Sequence, residues 1–225
     1  MTLTIHTDLI QGSDEWLAAR CGLLTASNVR LVMTATGKTA NNDKARAHLF
    51  ELLAQRITGY VEPAFISDDM LRGQEDEAFA RELYAEHYEP VTELGFMVRD
   101  FGEFRIGYSP DGLVGNDGLI EIKSRRAKYQ VATIIDDEMP EDYELQVQTG
   151  LLVSGRSWCD FISYSGGLPM AVLRVDADPA MQERILAAAA EFEERLADCL
   201  AIYRDNVARR GFRMTERRVE EEMVL

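Results

Sequence analysis

Cysteine and histidine are scarce in this sequence, and their scarcity narrows the chemistry that the protein can perform. Each occurs only three times in 225 residues, and neither set has the close, regular spacing of a metal-binding motif. We therefore do not expect a zinc site or a Ser-His catalytic triad. The odd number of scattered cysteines predicts reduced thiols and a cytoplasmic protein. The residues are Cys21, Cys159 and Cys199, and His6, His48 and His87.

Long apolar runs are also missing. No stretch approaches the roughly 20 consecutive apolar residues that span a bilayer. Residues 1–11 have neither the basic start nor the apolar segment of a secretory signal, so we expect none there. The hydrophobic fraction of 46% is nevertheless ample for a core and argues against a disordered chain. At this length the sequence predicts one domain, spanning residues 1–225.

Positive charge is in short supply. The chain has 24 lysines and arginines against 39 aspartates and glutamates, which gives a net charge of −15. This balance argues against a protein that coats nucleic acid, because binding to phosphates depends on cations. It does not exclude a DNA enzyme whose cations line one channel while its exterior stays acidic.

The pattern of apolar residues predicts an α/β (α+β) fold with a central mixed β-sheet flanked by helices. Helical spacing is expected over 13–87, strand alternation over 91–176, and a long helix over 178–209 before an exposed tail. Residues 1–12 are interpreted as a short lead-in. Strands are expected at 91–98, 103–108, 119–123, 158–164 and 170–175, helices at 26–33 and 143–153, turns at 99–102 and 112–118, a basic loop around 125–128 and an acidic stretch at 136–142.

One stretch combines acidic and basic groups inside apolar surroundings. Asp111 follows a Ser-Pro turn, and Glu121 and Lys123 stand two residues apart in an isoleucine-rich run. Because alternate residues of a strand share a face, Glu121 and Lys123 point the same way. Two carboxylates brought together are costly unless a cation lies between them, and their hard oxygens suit magnesium or manganese. The backbone carbonyl of Ile122 is a further possible ligand.

Three other segments carry polar residues that suit a binding site. Arg20 points out of the first predicted helix, close to Ser27 at the start of the second. An arginine beside a helix start with hydroxyl groups would bind an anion such as phosphate. Trp16 shares its helix face with Arg20. The alternatives remain open: Arg20 could lie on an ordinary amphipathic hairpin, Glu77 could be a solvated helix residue, and Gln148, on an apolar helix face, could either bond to backbone or point into a cleft.

The motifs resemble those of the PD-(D/E)xK nuclease superfamily, which has a restriction-endonuclease-like core. More specifically, the chain is similar to the lambda-type exonuclease family (YqaJ-like viral recombinase, alkaline exonuclease). The matching segments occur in the family's order and cover roughly residues 11 to 153. They are 11–16 (QGSDEW), 20–22 (RCG), 25–27 (TAS), Arg72-Gly73 with Glu77, 109–113 (SPDGL), 121–123 (EIK) and 146–148 (QVQ).

This resemblance implies a role for each matching residue. Metal ligands would be Asp111, Glu121 and the Ile122 carbonyl, for one or two Mg²⁺ ions that Mn²⁺ could replace. Lys123 would be the catalytic lysine, and Glu77 would complete the acidic cluster or hold a second metal. The residues that would grip a 5′-phosphate are Arg20, Ser27, Ser109 and Gln148, with Trp16 contacting the DNA end.

The resemblance also implies a function and partners. Family members degrade one strand of linear double-stranded DNA in the 5′→3′ direction and leave a 3′ overhang. They form ring-shaped homotrimers and pass the overhang to a single-strand annealing protein, in the cytoplasm of a bacterium or a phage-infected host. A ring would also accommodate the net charge, since its channel can be basic while its exterior is acidic.

Two alternatives stay open from the sequence. A structure-specific or restriction-like DNA endonuclease could use the same fold and the same catalytic residues. A protein of another class, an acidic and non-catalytic DNA mimic, would account for the charge of −15. A mimic needs acids spread over one surface, however, and not an Asp, Glu and Lys set within apolar strands.

Overall fold

A computed structural model describes residues 1–34, 37–62 and 67–217, without the side chains of residues 68 and 69. Within these ranges none of the helices is long and apolar enough to cross a membrane. Parts of the predicted loop at 34–43 and of the tail, namely residues 35–36 and 218–225, lie outside the described residues. The strands are β1 (Thr2–His6), β2 (Leu24–Thr25), β3 (Val91–Thr92), β4 (Phe96–Asp100), β5 (Arg105–Tyr108), β6 (Gly112–Val114), β7 (Gly118–Ser124), β8 (Trp158–Tyr164) and β9 (Ala171–Asp176). The helices are α1 (Asp14–Arg20), α2 (Val29–Val32), α3 (Asp43–Thr58), α4 (Asp68–His87), α5 (Ala127–Asp136), α6 (Glu144–Ser154) and α7 (Pro179–Arg210).

The fold class predicted from the sequence is confirmed, with the strands divided between two mixed sheets. The first sheet has the order β1-β4-β5-β2, in which only β2 and β5 run parallel. The second has the order β3-β6-β7-β8-β9, in which β7 and β8 are the parallel pair. Helices α5 and α6 make the crossover between these two parallel strands.

The predicted strand at 91–98 is wrong as a single element. It consists of β3, which joins the second sheet, and the start of β4, which joins the first. Gly95 lies at the break. A Cβ atom there would come within 2.2 Å of the Leu9 backbone oxygen, so the chain passes too close to residue 9 for any side chain. Alternation of apolar residues continues through this break and gives no sign of it.

Four local predictions also need correction. The lead-in at 1–12 contains β1, an edge strand that pairs with β4. The turn predicted at 112–118 contains β6. The basic loop predicted around 125–128 includes only residues 125 and 126, because α5 begins at residue 127. The helix expected at 26–33 is a 3₁₀ turn followed by the four-residue α2. These elements are short or half-exposed, so their apolar periodicity is weak.

The second sheet is covered on both faces, so successive residues of β7 contact different layers. Ile120 and Ile122 pack with Tyr84 of α4 on one face. Leu119, on the other face, belongs to the large apolar cluster that includes α6 and α7. Glu121 follows Leu119 by two residues and therefore points toward α6, as the period of two predicts.

Candidate active site

A cleft of about 260 Å³ opens where the chain leaves the first sheet and enters the second. Strand β5 ends at Tyr108 and β6 begins at Gly112, so Asp111 lies on the connection between the sheets. Gly112 permits this crossing, because a Cβ atom there would come within 2.3 Å of the Val91 side chain. The cleft brings together every predicted site residue except Gln148: Trp16, Arg20, Ser27, Glu77, Ser109, Asp111, Glu121, Ile122 and Lys123.

Glu121 is the most heavily bonded side chain of the cleft, and it is only 1% exposed. One carboxylate oxygen accepts from Lys123 Nζ at 2.6 Å and from Gln146 Nε2, and the other accepts from the Tyr108 hydroxyl at 3.1 Å. Burial and the nearby carboxylates raise the pKa of Tyr108 well above its ordinary value, so it stays a donor. Three donors from three different elements thus fix the position of this carboxylate.

Lys123 is held as a charged group. Burial lowers its pKa, but the carboxylates of Glu121 and Asp111 outweigh that effect and leave the pKa above its ordinary value. In this arrangement its ammonium donates to the Glu121 carboxylate at 2.6 Å.

Asp111 faces the same space from the crossing segment. Its Oδ2 accepts from the Ile122 backbone N–H at 2.6 Å, which ties the crossing to β7. Burial, together with the negative charges of Glu121 and Glu77, raises the pKa of Asp111 well above its ordinary value. Burial is the larger cause and repulsion among the carboxylates adds to it, so a cation between them would favour the charged form of Asp111.

The oxygen atoms available as ligands fit a magnesium ion. No group of three or more acidic, histidine or cysteine side chains within residues 1–34, 37–62 and 67–217 is arranged to hold a metal. Magnesium does not require one, because it keeps several waters and is commonly held by one or two carboxylates together with substrate phosphates. Asp111, Glu121 and the Ile122 carbonyl would therefore be enough protein ligands for such an ion.

Glu77 lies in the cleft but is turned toward an arginine that sequence reasoning missed. Arg81, one helical turn further along α4, makes an ion pair with Glu77 and donates to Glu93 at 2.7 Å and to the Asp111 backbone oxygen at 2.8 Å. Burial raises the pKa of Glu77, and Arg81 opposes that shift. The i, i+4 spacing of Glu77 and Arg81 was the available signal.

The opposite end of the cleft is built for an anion. Trp16 Nε1 donates to Ser109 Oγ at 2.9 Å, and the Arg20 guanidinium lies 4.1 Å from the centre of the Trp16 ring. Burial lowers the pKa of Arg20, and Glu51 opposes that shift. Arg20 makes no hydrogen bond or ion pair with the residues that the structure describes, so its donors are available. The hydroxyls of Thr25 and Ser27 lie 3.3 Å apart beside it.

The prediction that Gln148 points into the cleft is wrong. Its Nε2 donates to the Asp176 backbone oxygen at 2.8 Å, and its Oε1 accepts from the Asp178 backbone N–H at 2.8 Å. Both polar ends of this buried side chain therefore fasten α6 to the segment that begins α7. Gln146, two residues earlier, lines the cleft instead. A difference of two residues on a helix turns a side chain to the opposite side, and the apolar pattern alone did not decide between the two glutamines.

A second, more open groove of about 470 Å³ continues from the carboxylates of Glu77 and Asp111. It shares Gln11, Glu77 and Asp111 with the cleft and includes Arg81. The acidic cluster therefore lies between the Arg20 end of the cleft and a larger open space. This arrangement can hold a phosphate on one side while the remainder of a long polymer extends from the other.

Comparison with known proteins gives consistent matches. The family model of the YqaJ-like viral recombinase domain matches residues 15–157. The crystal structure of an alkaline exonuclease (LHK-Exo) from Laribacter hongkongensis matches with a TM-score of 0.77 and 35% identity, over 88% of this chain and 99% of that one. A structure of LHK-Exo in complex with dAMP matches with the same values.

A more distant structure shares the fold. The phage related exonuclease from Haemophilus somnus 129PT matches with a TM-score of 0.55 and 14% identity, over 78% of this chain and 95% of that one. At that identity the likeness supports the architecture alone. A search of curated proteins found no significant match.

Proposed function

The chain belongs to the family of YqaJ-like viral recombinase domains, and we propose that this nuclease is a Mg²⁺-dependent exonuclease that degrades one strand of linear double-stranded DNA. It would start at a 5′-phosphorylated end, proceed in the 5′→3′ direction, and leave a 3′ overhang for single-strand-annealing recombination. The 35% identity to an alkaline exonuclease supports this proposal. The observation that carries it is the cation of Arg20, which forms no ion pair within the described residues, in the same cleft as Asp111, Glu121 and Lys123.

Asp111, Glu121 and the Ile122 carbonyl would hold Mg²⁺, or Mn²⁺ in its place. The bound ion would supply an activated water and neutralise charge on the phosphodiester. Lys123 would donate to the negative charge that develops on the reacting phosphate. Glu77 could assist a second ion only by leaving Arg81.

The other end of the cleft would fix the position of the DNA end. Arg20, Ser27 and Ser109 would bind the terminal 5′-phosphate, and Trp16 would hold Arg20 by its ring and Ser109 by its N–H. Gln146 would also bind this phosphate, in the role that the resemblance assigned to Gln148. A fixed phosphate would place the adjacent phosphodiester beside Asp111 and Lys123, which explains why the enzyme would act at ends.

We also propose a homotrimeric ring as the working form and a single-strand annealing protein as the recipient of the overhang. The resemblance implies both. The charge of −15 is compatible with a ring whose channel carries the cations and whose exterior carries the acids.

Digestion of matched DNA substrates tests the proposed function. Linear duplex with 5′-phosphate ends should be degraded in Mg²⁺ and remain intact in EDTA, and the same duplex with 5′-hydroxyl ends should be degraded at least tenfold more slowly. Cleavage of a covalently closed circle would favour the endonuclease alternative. Absence of both cleavage and divalent-metal binding would favour the DNA mimic.

Arg20→Ala tests the phosphate end of the cleft by itself. We expect it to slow digestion of the 5′-phosphorylated duplex and to leave the slower rate on the 5′-hydroxyl duplex nearly unchanged, since the lost interaction is with the phosphate. Arg30→Ala is the matched control, because Arg30 is exposed and lies outside the cleft. Equal slowing on both substrates would show that Arg20 is only structural.

A further inference from the structure

The proposed phosphate end of the cleft contains Arg20 and Ser27, which are joined by a tight turn. Arg20 is the last residue of α1, and Ser27 lies in the 3₁₀ turn that follows β2. Between them the Leu23 N–H donates to the Arg20 carbonyl at 3.0 Å, Cys21 has φ −55° and ψ 121°, and Gly22 has φ +69°. These values fit a type II β-turn, which favours glycine at its third position because φ is positive there. The conformation of this turn therefore determines where Arg20 lies relative to Ser27.

Both hydrogen-bonding groups of Gly22 are held by helix α3. The Gly22 N–H donates to Gln55 Oε1 at 2.8 Å, and the Gly22 carbonyl accepts from Arg56 Nε at 2.8 Å. Gln55 is buried, so its bond to the turn is shielded from water. A Cβ atom on Gly22 would come within 2.5 Å of Arg56 Cγ, so the Arg56 side chain also packs directly against the turn. We call these contacts of Gln55 and Arg56 with Gly22 the Gly22 clamp.

Arg56 is itself fixed by the long helix α7. Its Nη1 and Nη2 donate to the two carboxylate oxygens of Glu193, each at 2.7 Å. A bidentate pair of this kind restricts the orientation of a guanidinium. Among the described residues that line the cleft, neither Gln55 nor Arg56 occurs. With its charge matched by Glu193 and its side chain outside the cleft lining, Arg56 can influence a bound phosphate only through the turn.

Resting on the proposed function, we propose that Gln55 and Arg56 are positioning residues that hold Arg20 in place for the terminal 5′-phosphate and so set the preference for phosphorylated ends. The Arg20 side chain makes no hydrogen bond or ion pair among the described residues, so apart from its contact with the Trp16 ring it depends on the backbone of the turn. A guanidinium binds phosphate best when its planar donors meet the oxygens in a defined geometry. A misplacement of about 1 Å at such a group can lower a rate on the order of 10²-fold.

The preference between two kinds of DNA end tests the Gly22 clamp. Initial rates of digestion in Mg²⁺ are measured on linear duplex with 5′-phosphate or 5′-hydroxyl ends, and the ratio of the two rates is compared among variants. Arg56→Met removes the donor to the Gly22 carbonyl, and Gln55→Met removes the acceptor of the Gly22 N–H. Each should lower the ratio about three- to tenfold, mainly through the rate on the phosphorylated duplex, because a displaced Arg20 loses its contact with the phosphate. Arg56 is partly exposed, so Arg56→Met should fold even if Gln55→Met does not.

Leu49→Ala is the matched control for a general loss of stability. It removes buried packing from the same helix without removing a bond to Gly22, and it should leave the ratio at its wild-type value. All rates are expressed per folded molecule, from urea unfolding curves of each variant. Affinity for the same two duplexes, measured by fluorescence anisotropy with Ca²⁺ replacing Mg²⁺, should show a loss confined to the phosphorylated end.

The possible outcomes separate this inference from the proposed function. Equal slowing on both substrates in Arg56→Met and Gln55→Met, with the wild-type ratio retained, would overturn the Gly22 clamp and leave the proposed function standing. A ratio lowered as much in Leu49→Ala would also overturn it, because a general loss of stability would then be sufficient. A wild-type protein without preference for 5′-phosphate ends would overturn both the clamp and the proposed phosphate end, and one that does not cleave linear duplex would overturn the proposed function itself.

Discussion

At the scale of single residues, Glu121 organises the site. Its carboxylate receives bonds from Lys123 on its own strand, from Tyr108 on β5 and from Gln146 on α6. The positions of the other polar groups near Glu121 therefore depend on the strands and the helix that carry these donors. On the opposite side of the site, Arg81 plays a similar organising part, because it pairs with Glu77 and donates to the Asp111 backbone oxygen. Glu121 and Asp111 are held by neighbours from other elements, whereas Lys123 and Glu77 are paired within their own.

Lys123→Ala should separate chemistry from metal binding. Loss of a charged donor at the reacting phosphate is expected to lower the cleavage rate by at least about 10²-fold. Asp111, Glu121 and the Ile122 carbonyl remain, so Mn²⁺ binding measured by calorimetry should stay within a few-fold of wild type. Lys44→Ala, on the exposed side of α3, is the control for charge. Substantial residual cleavage in Lys123→Ala would refute the assigned role.

Substitutions of the two glutamines of α6 should have opposite effects, one on activity and the other on stability. Gln146→Met removes a donor to Glu121 and should lower activity about 10–100-fold with little loss of stability. Gln148→Met leaves the Asp176 carbonyl and the Asp178 N–H without partners, which should cost about 1–3 kcal/mol of unfolding free energy.

Thermal or urea unfolding, with activity assayed per folded molecule, distinguishes the two variants. Each glutamine is the control for the other, since both substitutions are the same and lie two residues apart. If Gln148→Met lost activity while keeping its stability, the reassignment from Gln148 to Gln146 would be mistaken.

At the scale of secondary-structure elements, the close approach of α6 to β5 links packing to the site. Gly150 of α6 lies against the ring of Tyr108, and a Cβ atom there would come within 2.7 Å of that ring. Tyr108 is buried, and its hydroxyl donates to Glu121. A methyl group added to this helix surface would therefore push on the tyrosine that donates to the Glu121 carboxylate.

Gly150→Ala should reduce both stability and activity. Overpacking is expected to cost about 1–3 kcal/mol, and displacement of Tyr108 should reduce the cleavage rate as well. Gly73→Ala in α4 is the matched control, because nothing lies within 4 Å of a Cβ atom there. Helix propensity predicts a gain of about 0.5–1 kcal/mol for Gly73→Ala. Comparison of urea unfolding curves checks both signs, and a stabilised Gly150→Ala would contradict this packing account.

At the scale of the whole molecule, the site depends on two sheets meeting. Strand β5 of the first sheet leads directly into β6 of the second, and Asp111 lies on that connection. The anion end of the cleft comes from α1 and the 3₁₀ turn that follows β2, while the lysine comes from β7. No single layer contains the complete cleft, so its geometry follows from the way the layers pack.

The proposed ring makes a prediction for the intact protein. Large apolar side chains remain exposed on α5 and α7, including Ile135 at 74% and Ile202 at 61%, and are available for contacts between copies. Light scattering after size exclusion should give a mass about three times the 25.4 kDa of the chain at micromolar concentration. A mass equal to one chain across the accessible concentration range would contradict the trimer.

The sequence by itself was enough to predict the chemistry that we propose, because that information is local. Asp111 after its Ser-Pro turn, and Glu121 and Lys123 on one strand face, follow from alternation over a few residues. The order of helices and strands, and thereby the fold class, followed from periodicity in the longer elements. The spacing of Trp16 and Arg20 on α1 placed both on one helix face.

Tertiary structure decided what depends on contacts between distant residues. The sequence pattern led to Gln148, and only the packing of α6 on the start of α7 shows that Gln146 lines the cleft instead. The break at Gly95 was invisible because its cause, the Leu9 backbone, lies 86 residues earlier in the chain. Alternation sets the direction of each side chain within its own element, but which elements face one another is fixed only when the two sheets close around the core.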